Sequence, residues 1–364
     1  MNPILLVCTE LEVGGAEKAL TEIALRLPEL GFAPTIVSLR PRPAGSRDSL
    51  VVRLEGASIP VRFLNLTRPT QILGGIRELR RMLRESSATI ALSFLFHANV
   101  LTGFATARER GVRHFAGIRV AEPSRWRNRL EAWALKRCAG VLCVSNEVKR
   151  NFLPYFRDES RMSVIPNGAV PWKRVPAIDL QRIGIAESEK VILFVGRLHP
   201  QKGLDWALPH VGKVLEKIGD AHFVILGDGP QNNALERLAV GHLYSDRIHF
   251  VGFHKDPNPY YARAHCLLLP SRWEGMPNVV LEAISAGLPV LATRESSAGE
   301  IFNSESPAQL FAFGDYVALV DKLTAILSDE KLSQHLSAEN RECSRRFLWD
   351  EVAAAYARRF SEQA

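Results

Sequence analysis

No Asp-x-Asp pair occurs anywhere in this chain, nor does a Walker lysine loop, a GxSxG elbow, an HExxH pair or any zinc-type spacing of Cys and His. Metal-dependent and triad chemistries therefore lose ground. Cysteine is scarce: Cys8, Cys138, Cys143, Cys266 and Cys343 are odd in number, sit mostly inside apolar runs and include no CxxC. Buried thiols in a reducing cytoplasm fit that usage best. The first residues, MNPILLVCTE, carry no basic leader, so they read as a strand and secretion is not expected. The longest stretch without Asp, Glu, Lys or Arg, 86–107, is interrupted by Ser, Thr, His97 and Asn99. Such polarity predicts a buried strand, loop and helix in place of a membrane span.

What the chain does have is apolar material for two cores: 364 residues at 46% hydrophobic content exceed what one core usually supports. Its charge is uneven. Residues 1–172 hold 25 Lys/Arg against 15 Asp/Glu, and the remainder 21 against 24. The basic half is expected to meet something anionic: membrane headgroups, a phosphate-bearing acceptor or nucleic acid. Nucleic acid is disfavoured because the arginines are not interleaved with an aromatic stacking platform.

Short apolar runs alternate with amphipathic ones from each end. ILLVCT, PTIVSL, VRFLNL, ATIALSF, VRHFAGI and GVLCVS mark strands in the first half; KVILFVG, AHFVILG, RIHFVGF, HCLLLP and GLPVLAT mark them in the second. Strand and helix alternating twice over predict two doubly wound Rossmann-like α/β domains. Pro171 and Pro176 interrupt the pattern, which places the domains at 1–172 and 173–345, with a closing amphipathic helix in 346–364. A helix is expected over 16–30 as well.

In open α/β sheets ligands bind beyond the carboxyl ends of strands, and the informative residues fall in those loops. Gly14 and Gly15 follow the first strand and precede a helix, where paired glycines let backbone amides approach an anion closely; a plain tight turn explains them equally well. GRLHPQKG follows KVILFVG and holds Arg197 and Lys202, two cations suited to a diphosphate, unless the loop is simply solvated. Glu274 and Glu282 bracket GMPNVVL. Pro277 suits a first helical position, and the amides from Met276 through Pro277 and Asn278 to Val279 lie where a helix start would face a phosphate. A capping acid accounts for Glu274 but leaves Glu282 costly in the apolar run around it. His97 stands in a polar break after ATIALSF, and LGDGP, with Gly229, predicts a tight turn.

Taken together, GGAEK, GRLHPQKG, LGDGP and SRWEGMPNVVLEAISAGLPV resemble the retaining family 4 glycosyltransferases of GT-B fold, in the expected order and over residues 3–293. The resemblance implies two domains facing across a cleft, the first on the acceptor side, the second binding a nucleotide sugar, with the last helix returning to the first. It implies a donor, UDP-linked by family habit, whose diphosphate is held by Arg197 and Lys202 and backed by Gly15. Glu274 would lie near the transferred sugar, Glu282 on the ribose, His97 near the sugar ring, and the base near Gly229 and Val251. No cofactor and no metal is implied. The acceptor would be a glycan or a polyprenyl- or other lipid-linked sugar in cell-surface polysaccharide or glycolipid synthesis. One loop departs from the family: RESSAGEIF stands where paired glycines and a glutamate are usual, with Gly299 and Glu300 as the substitutes.

With no second carboxylate placed as a nucleophile, same-face substitution follows more naturally than a covalent intermediate. A non-hydrolysing sugar-nucleotide epimerase shares the architecture and donor, and an inactive sugar-nucleotide-binding subunit is a further alternative. Finally, Arg77, Arg80, Arg81 and Arg84 recur at i, i+3, i+4 and i+7, on one helical face. They read either as a solvated surface or as a basic face on anionic lipid, which would place the chain in the cytoplasm, peripheral to the membrane.

Overall fold

The computed structural model describes residues 1–109, 111–241, 243–302 and 307–362. In chain order the first elements are β1 (Asn2–Cys8), α1 (Gly15–Arg26), β2 (Phe32–Ser38), α2 (Ser49–Gly56), β3 (Val61–Phe63), α3 (Ile72–Glu85), β4 (Ile90–Phe94), α4 (Phe96–Thr106), β5 (Arg113–Ile118), α5 (Arg125–Ala134), β6 (Gly140–Cys143), α6 (Asn146–Phe156) and β7 (Met162–Val164). There follow β8 (Lys190–Val195), α7 (Leu204–Lys217), β9 (Ala221–Leu226), α8 (Asn232–Val240), β10 (Ile248–Gly252), α9 (Asn258–Arg263), β11 (Cys266–Leu269), α10 (Asn278–Ala286), β12 (Val290–Thr293), β13 (Leu310–Phe311), α11 (Tyr316–Ser328), α12 (Glu330–Ser344) and α13 (Trp349–Ser361). Two compact units result: Met1–Gly168 with Trp349–Ala364, and Ala169–Leu348.

The first unit is built on a seven-stranded sheet of order β3-β2-β1-β4-β5-β6-β7, parallel throughout. Its central strands are apolar on both faces because helices cover both. Ile4, Leu6 and Cys8 of β1 enter one core with Leu20, Ile23, Val51 and Tyr356, whereas Leu5 and Val7 enter the other with Leu79, Leu83, Ala98 and Leu101. The two-residue period of the strand thus assigns α1, α2 and α13 to one face and α3 and α4 to the opposite one. The closing helix α13 belongs to this unit. The Phe360 ring meets Phe32 at 5.7 Å and Phe115 at 5.3 Å, and the Arg113 guanidinium donates to the carbonyls of Phe360 and Glu362. Gly168 is bare because a Cβ there would lie 2.6 Å from the Trp349 ring.

The second unit holds a six-stranded parallel sheet of order β10-β9-β8-β11-β12-β13. Both sheets are doubly wound, as the alternating pattern predicts. The helix expected over 16–30 stops at Arg26 and tightens into a 3-10 turn, Leu27–Leu30, because Pro28 has no N–H to continue the ladder. Residues 86–107 form β4 and α4, and among the described residues no helix is long and apolar enough to cross a membrane.

Candidate functional site

In the second unit β8 and β11 lie side by side, but the chain leaves β8 for β9 on one flank and β11 for β12 on the other. Loops diverging beyond the carboxyl ends of such a pair leave a crevice, the usual ligand position of this architecture. The loop after β8 carries Arg197, His199 and Lys202. His199 caps the one-turn helix Pro200–Lys202, its Nδ1 accepting the Gln201 N–H at 3.2 Å. Burial, with Arg197 and Lys202 nearby, holds this imidazole below its usual range, in keeping with an acceptor nitrogen. Gly203 takes φ +68°, and a Cβ on it would stand 2.1 Å from the Pro270 carbonyl. Only glycine lets the start of α7 pack so closely on the end of β11.

The loop after β11 is tied to the first at several points. The Arg272 N–H donates to the Gln201 carbonyl at 2.7 Å, and its guanidinium grips both oxygens of Asp205 at 2.8 Å. That fork holds the Asp205 carboxyl below its usual range. The Lys202 ammonium lies 2.5 Å from Glu274 Oε1, with the two side chains 17% and 11% exposed. The Ser271 hydroxyl donates to the same oxygen at 2.9 Å, while the Gln201 amide donates to the Trp273 carbonyl at 2.9 Å and approaches Glu274 Oε2 at 3.4 Å. An ammonium has three protons, so this pairing leaves Lys202 able to take a phosphate oxygen as well. Arg197 is exposed at the same loop.

The helix α10 begins at Asn278 with Pro277 as its cap residue, one place before the first-turn position read from the sequence. Val280 and Leu281 bond back to the Pro277 carbonyl, so the amides of Asn278 and Val279 precede the ladder, where a helix start favours an anion. Glu282 is half-buried and accepts the Tyr261 hydroxyl at 2.9 Å. A bonded partner thus relieves the cost its apolar setting implied. Gly229 packs so tightly that a Cβ would sit 2.4 Å from the Leu198 carbonyl, which accounts for the glycine by packing alone. Val251 is the last residue but one of β10, its carbonyl 3.2 Å from His254 Nε2. In the divergent loop Ser297, not Gly299, adopts positive φ, at +57°, so a serine holds the conformation that glycine takes most readily.

In the first unit Gly14 caps α1 in extended conformation, Gly15 is its first residue, and a Cβ on Gly14 would collide with the Glu17 carboxylate at 2.3 Å. Burial, aided by Glu10 and Glu12, raises the Glu17 carboxyl to about 7. His97 is the second residue of α4, exposed, its ring 5.2 Å from that of Phe96. Partial burial and the nearby Arg127 and Arg40 lower its pKa, favouring a neutral imidazole. Ahead of it Leu95 is held at φ +76°, a conformation costing about 1–3 kcal/mol. A buried chain of hydrogen bonds braces this corner: Ser93 to His114 and to Asn99, both 2.7 Å, and Asn99 to the Gly117 carbonyl and to Glu131 at 2.6 Å.

The four arginines of α3 line an open hollow with Glu85, but three are already engaged. Arg81 bridges Glu78 and Glu85, Arg84 holds Glu109, and Arg80 caps α4 through the Phe104 and Ala105 carbonyls. Arg77 is exposed. Among the described residues no three His, Cys, Asp or Glu side chains are grouped to hold a metal ion.

Residues 13–171 match the model of Glycosyltransferase Family 4 and residues 177–343 that of Glycosyl transferases group 1, so that between them the two families take in both units. The chain is a family 4 glycosyltransferase of GT-B fold. The glycosyltransferase is 30% identical over 213 residues to the UDP-Gal:alpha-D-GlcNAc-diphosphoundecaprenol alpha-1,3-galactosyltransferase of Escherichia coli, covering 56% of this chain and 55% of that one. It is 25% identical over 366 residues to the phosphatidylinositol N-acetylglucosaminyltransferase GPI3 subunit of Saccharomyces cerevisiae, covering 94% and 78%. A 2-deoxystreptamine N-acetyl-D-glucosaminyltransferase of Niallia circulans is 30% identical over 155 residues, 42% of this chain and 40% of its own. The match thus spans about half the length of the bacterial relatives. In fold, the chain resembles Anabaena HepE in complex with UDP and glucose, at a TM-score of 0.85, 19% identity and 99% coverage of both chains.

Three residues that hold the glycosyltransferase loops in place escaped the sequence reading: Ser271, Arg272 and Tyr261. Arg272 lies inside the segment that carried the reading and Tyr261 is 21 residues before its partner. Neither spacing has a helical or strand period that would have signalled the contact.

Proposed function

We propose that this glycosyltransferase moves a hexosyl or N-acetylhexosaminyl unit from a UDP-sugar to a glycan or a polyprenyl- or other lipid-linked acceptor, with retained configuration, in synthesis of a cell-surface polysaccharide or glycolipid. The observation that carries the reading is the Lys202–Glu274 pair, which joins the loop bearing Arg197 to the loop that leads into α10, beyond the carboxyl ends of the adjacent strands β8 and β11. The names of the Escherichia coli and yeast relatives, one giving a UDP-Gal donor and a diphosphoundecaprenol-linked sugar, the other phosphatidylinositol, support the donor and acceptor classes.

The bond that breaks joins the anomeric carbon to the β-phosphate oxygen, and charge develops on the departing diphosphate. Arg197 takes two phosphate oxygens, Lys202 a third, and the α10 amides face the same group. Electrostatic stabilisation of that kind supplies about 3–4 kcal/mol per donor removed in comparable sites. Glu274, held by Ser271 and Lys202, meets the sugar hydroxyls; Glu282, held by Tyr261, meets the ribose. The cations and the helix start fill the role a metal would take, so turnover in EDTA equals turnover with magnesium. The test is NMR of the product formed from an α-linked UDP-sugar and a prenyl-diphosphate sugar. An α-linked product supports the reading; a β-linked product overturns retention, and a new UDP-sugar formed without acceptor assigns an epimerase.

A further inference from the structure

We infer that the outer face of α5 docks on an anionic lipid surface. Trp126 and Trp133 are the two tryptophans left largely exposed, at 64% and 62%, and they stand at i and i+7 with exposed Arg129 at i+3 between them. Arg125, the first residue of that helix, and Lys136, two residues beyond its last, are exposed as well. The opposite face is committed to the core through Asn128, Glu131, Ala132 and Ala134. A helix face of indole rings and uncompensated cations is what a membrane interface selects: rings at headgroup depth, cations against phosphates.

Charge decides against the neighbouring face of α3, where Arg81 and Arg84 are matched by Glu78, Glu85 and Glu109. On α5 the carboxylates are spent elsewhere. Glu131 is buried against Asn99, and Glu122, ahead of the helix, pairs with Arg127. The surface is also continuous with the corner bearing His97, since Trp126 rests on the Phe96 ring at 6.0 Å and Trp133 on Phe104 at 5.2 Å. A lipid-linked acceptor lying in the bilayer surface is thereby presented beside His97. This last step rests on the proposed transfer reaction; lipid docking does not, and is measured without any donor.

The test is flotation of the full-length chain with phosphatidylcholine vesicles, with and without phosphatidylglycerol. Binding is expected only with the anionic lipid, and brominated lipid is expected to quench the wild-type tryptophan fluorescence, which needs no variant. The double variant Trp126→Ser/Trp133→Ser lowers partitioning at least about tenfold, and Arg125→Glu/Arg129→Glu lowers it about fivefold for each unit of charge lost. Arg81→Gln on α3 leaves it within twofold. Absence of binding to anionic vesicles at low salt, or equal loss in Arg81→Gln, overturns the proposal. So does a concentration-dependent dimer without vesicle binding that the tryptophan variant abolishes, which assigns the face to a second copy.

Discussion

Replacing Lys202 by Met removes the ammonium 2.5 Å from Glu274 and leaves a carboxylate only 11% exposed in its side chain. A hydrogen bond to a charged group contributes about 1.5–3 kcal/mol. Glu274 keeps the Ser271 hydroxyl at 2.9 Å and the longer Gln201 contact at 3.4 Å, so the loss falls at the lower end, about 1.5–2 kcal/mol. In a domain of this size that lowers Tm by about 3–8 °C. Glu274→Gln alone leaves the ammonium a neutral oxygen in place of its carboxylate and costs a similar amount. The double variant Lys202→Met/Glu274→Gln strands nothing, because the glutamine oxygen still accepts from Ser271. Its destabilisation is therefore smaller than the sum of the singles by about 1.5 kcal/mol, a coupling of the size that contacting pairs show. Turnover behaves differently: Lys202→Met loses about 10²–10³ in kcat, and the double variant recovers none of it. Calorimetry on the four proteins, paired with UDP release, separates the two effects. Additive destabilisation would refute the ion pair, and near-normal turnover of Lys202→Met would remove the lysine from the donor phosphates.

Glu131→Gln tests the buried hydrogen-bond chain behind His97. Burial raises the Glu131 carboxyl from 4.5 to about 7, so the fold retains a proton that the unfolded chain releases; stability is intact below pH 4.5 and falls as pH rises through 7. The substitution, which keeps an acceptor for Asn99, is neutral at pH 4.5 and stabilising by up to about 3 kcal/mol above pH 7; a pH-independent effect in urea melts sinks the reasoning. Arg157 ends α6 at φ +62° and is exposed, so Arg157→Gly is expected to raise stability by about 0.5–1 kcal/mol in the same assay, and a loss would refute the strain. Tyr261→Phe removes the hydroxyl that Glu282 accepts and is expected to raise the donor KM several-fold while kcat changes less than twofold; a selective fall in kcat would contradict a ribose-side role for Glu282.

Much of the fold was legible because strands covered on both faces read as unbroken apolar runs. Every run named in the sequence became a strand, from β1 to β12. Only β7 and β13 were missed, the one three residues long and the other two, each at a sheet edge where no period can establish itself. The candidate residues were legible as loops at strand ends, but not their pairing. Lys202 and Glu274 are 72 positions apart, and only the adjacency of β8 and β11 brings them together. The α3 arginines show what a helical wheel omits: Glu78 and Glu85 sit at the spacings that neutralise Arg81, visible in the sequence, while Glu109 reaches Arg84 only through tertiary packing. Gly229 likewise reads as ligand-facing, whereas a collision with the Leu198 backbone suffices to require it bare.

UDP release from a panel of UDP-hexoses and UDP-N-acetylhexosamines, followed in EDTA for the wild-type chain, Arg197→Ala and Lys202→Ala, tests the donor site most directly. At least one UDP-sugar is expected to turn over in the wild type, with either substitution lowering the rate about a hundredfold or more. Turnover that survives both substitutions, or no turnover across the whole panel, would contradict the assignment of these two cations to a sugar-nucleotide diphosphate.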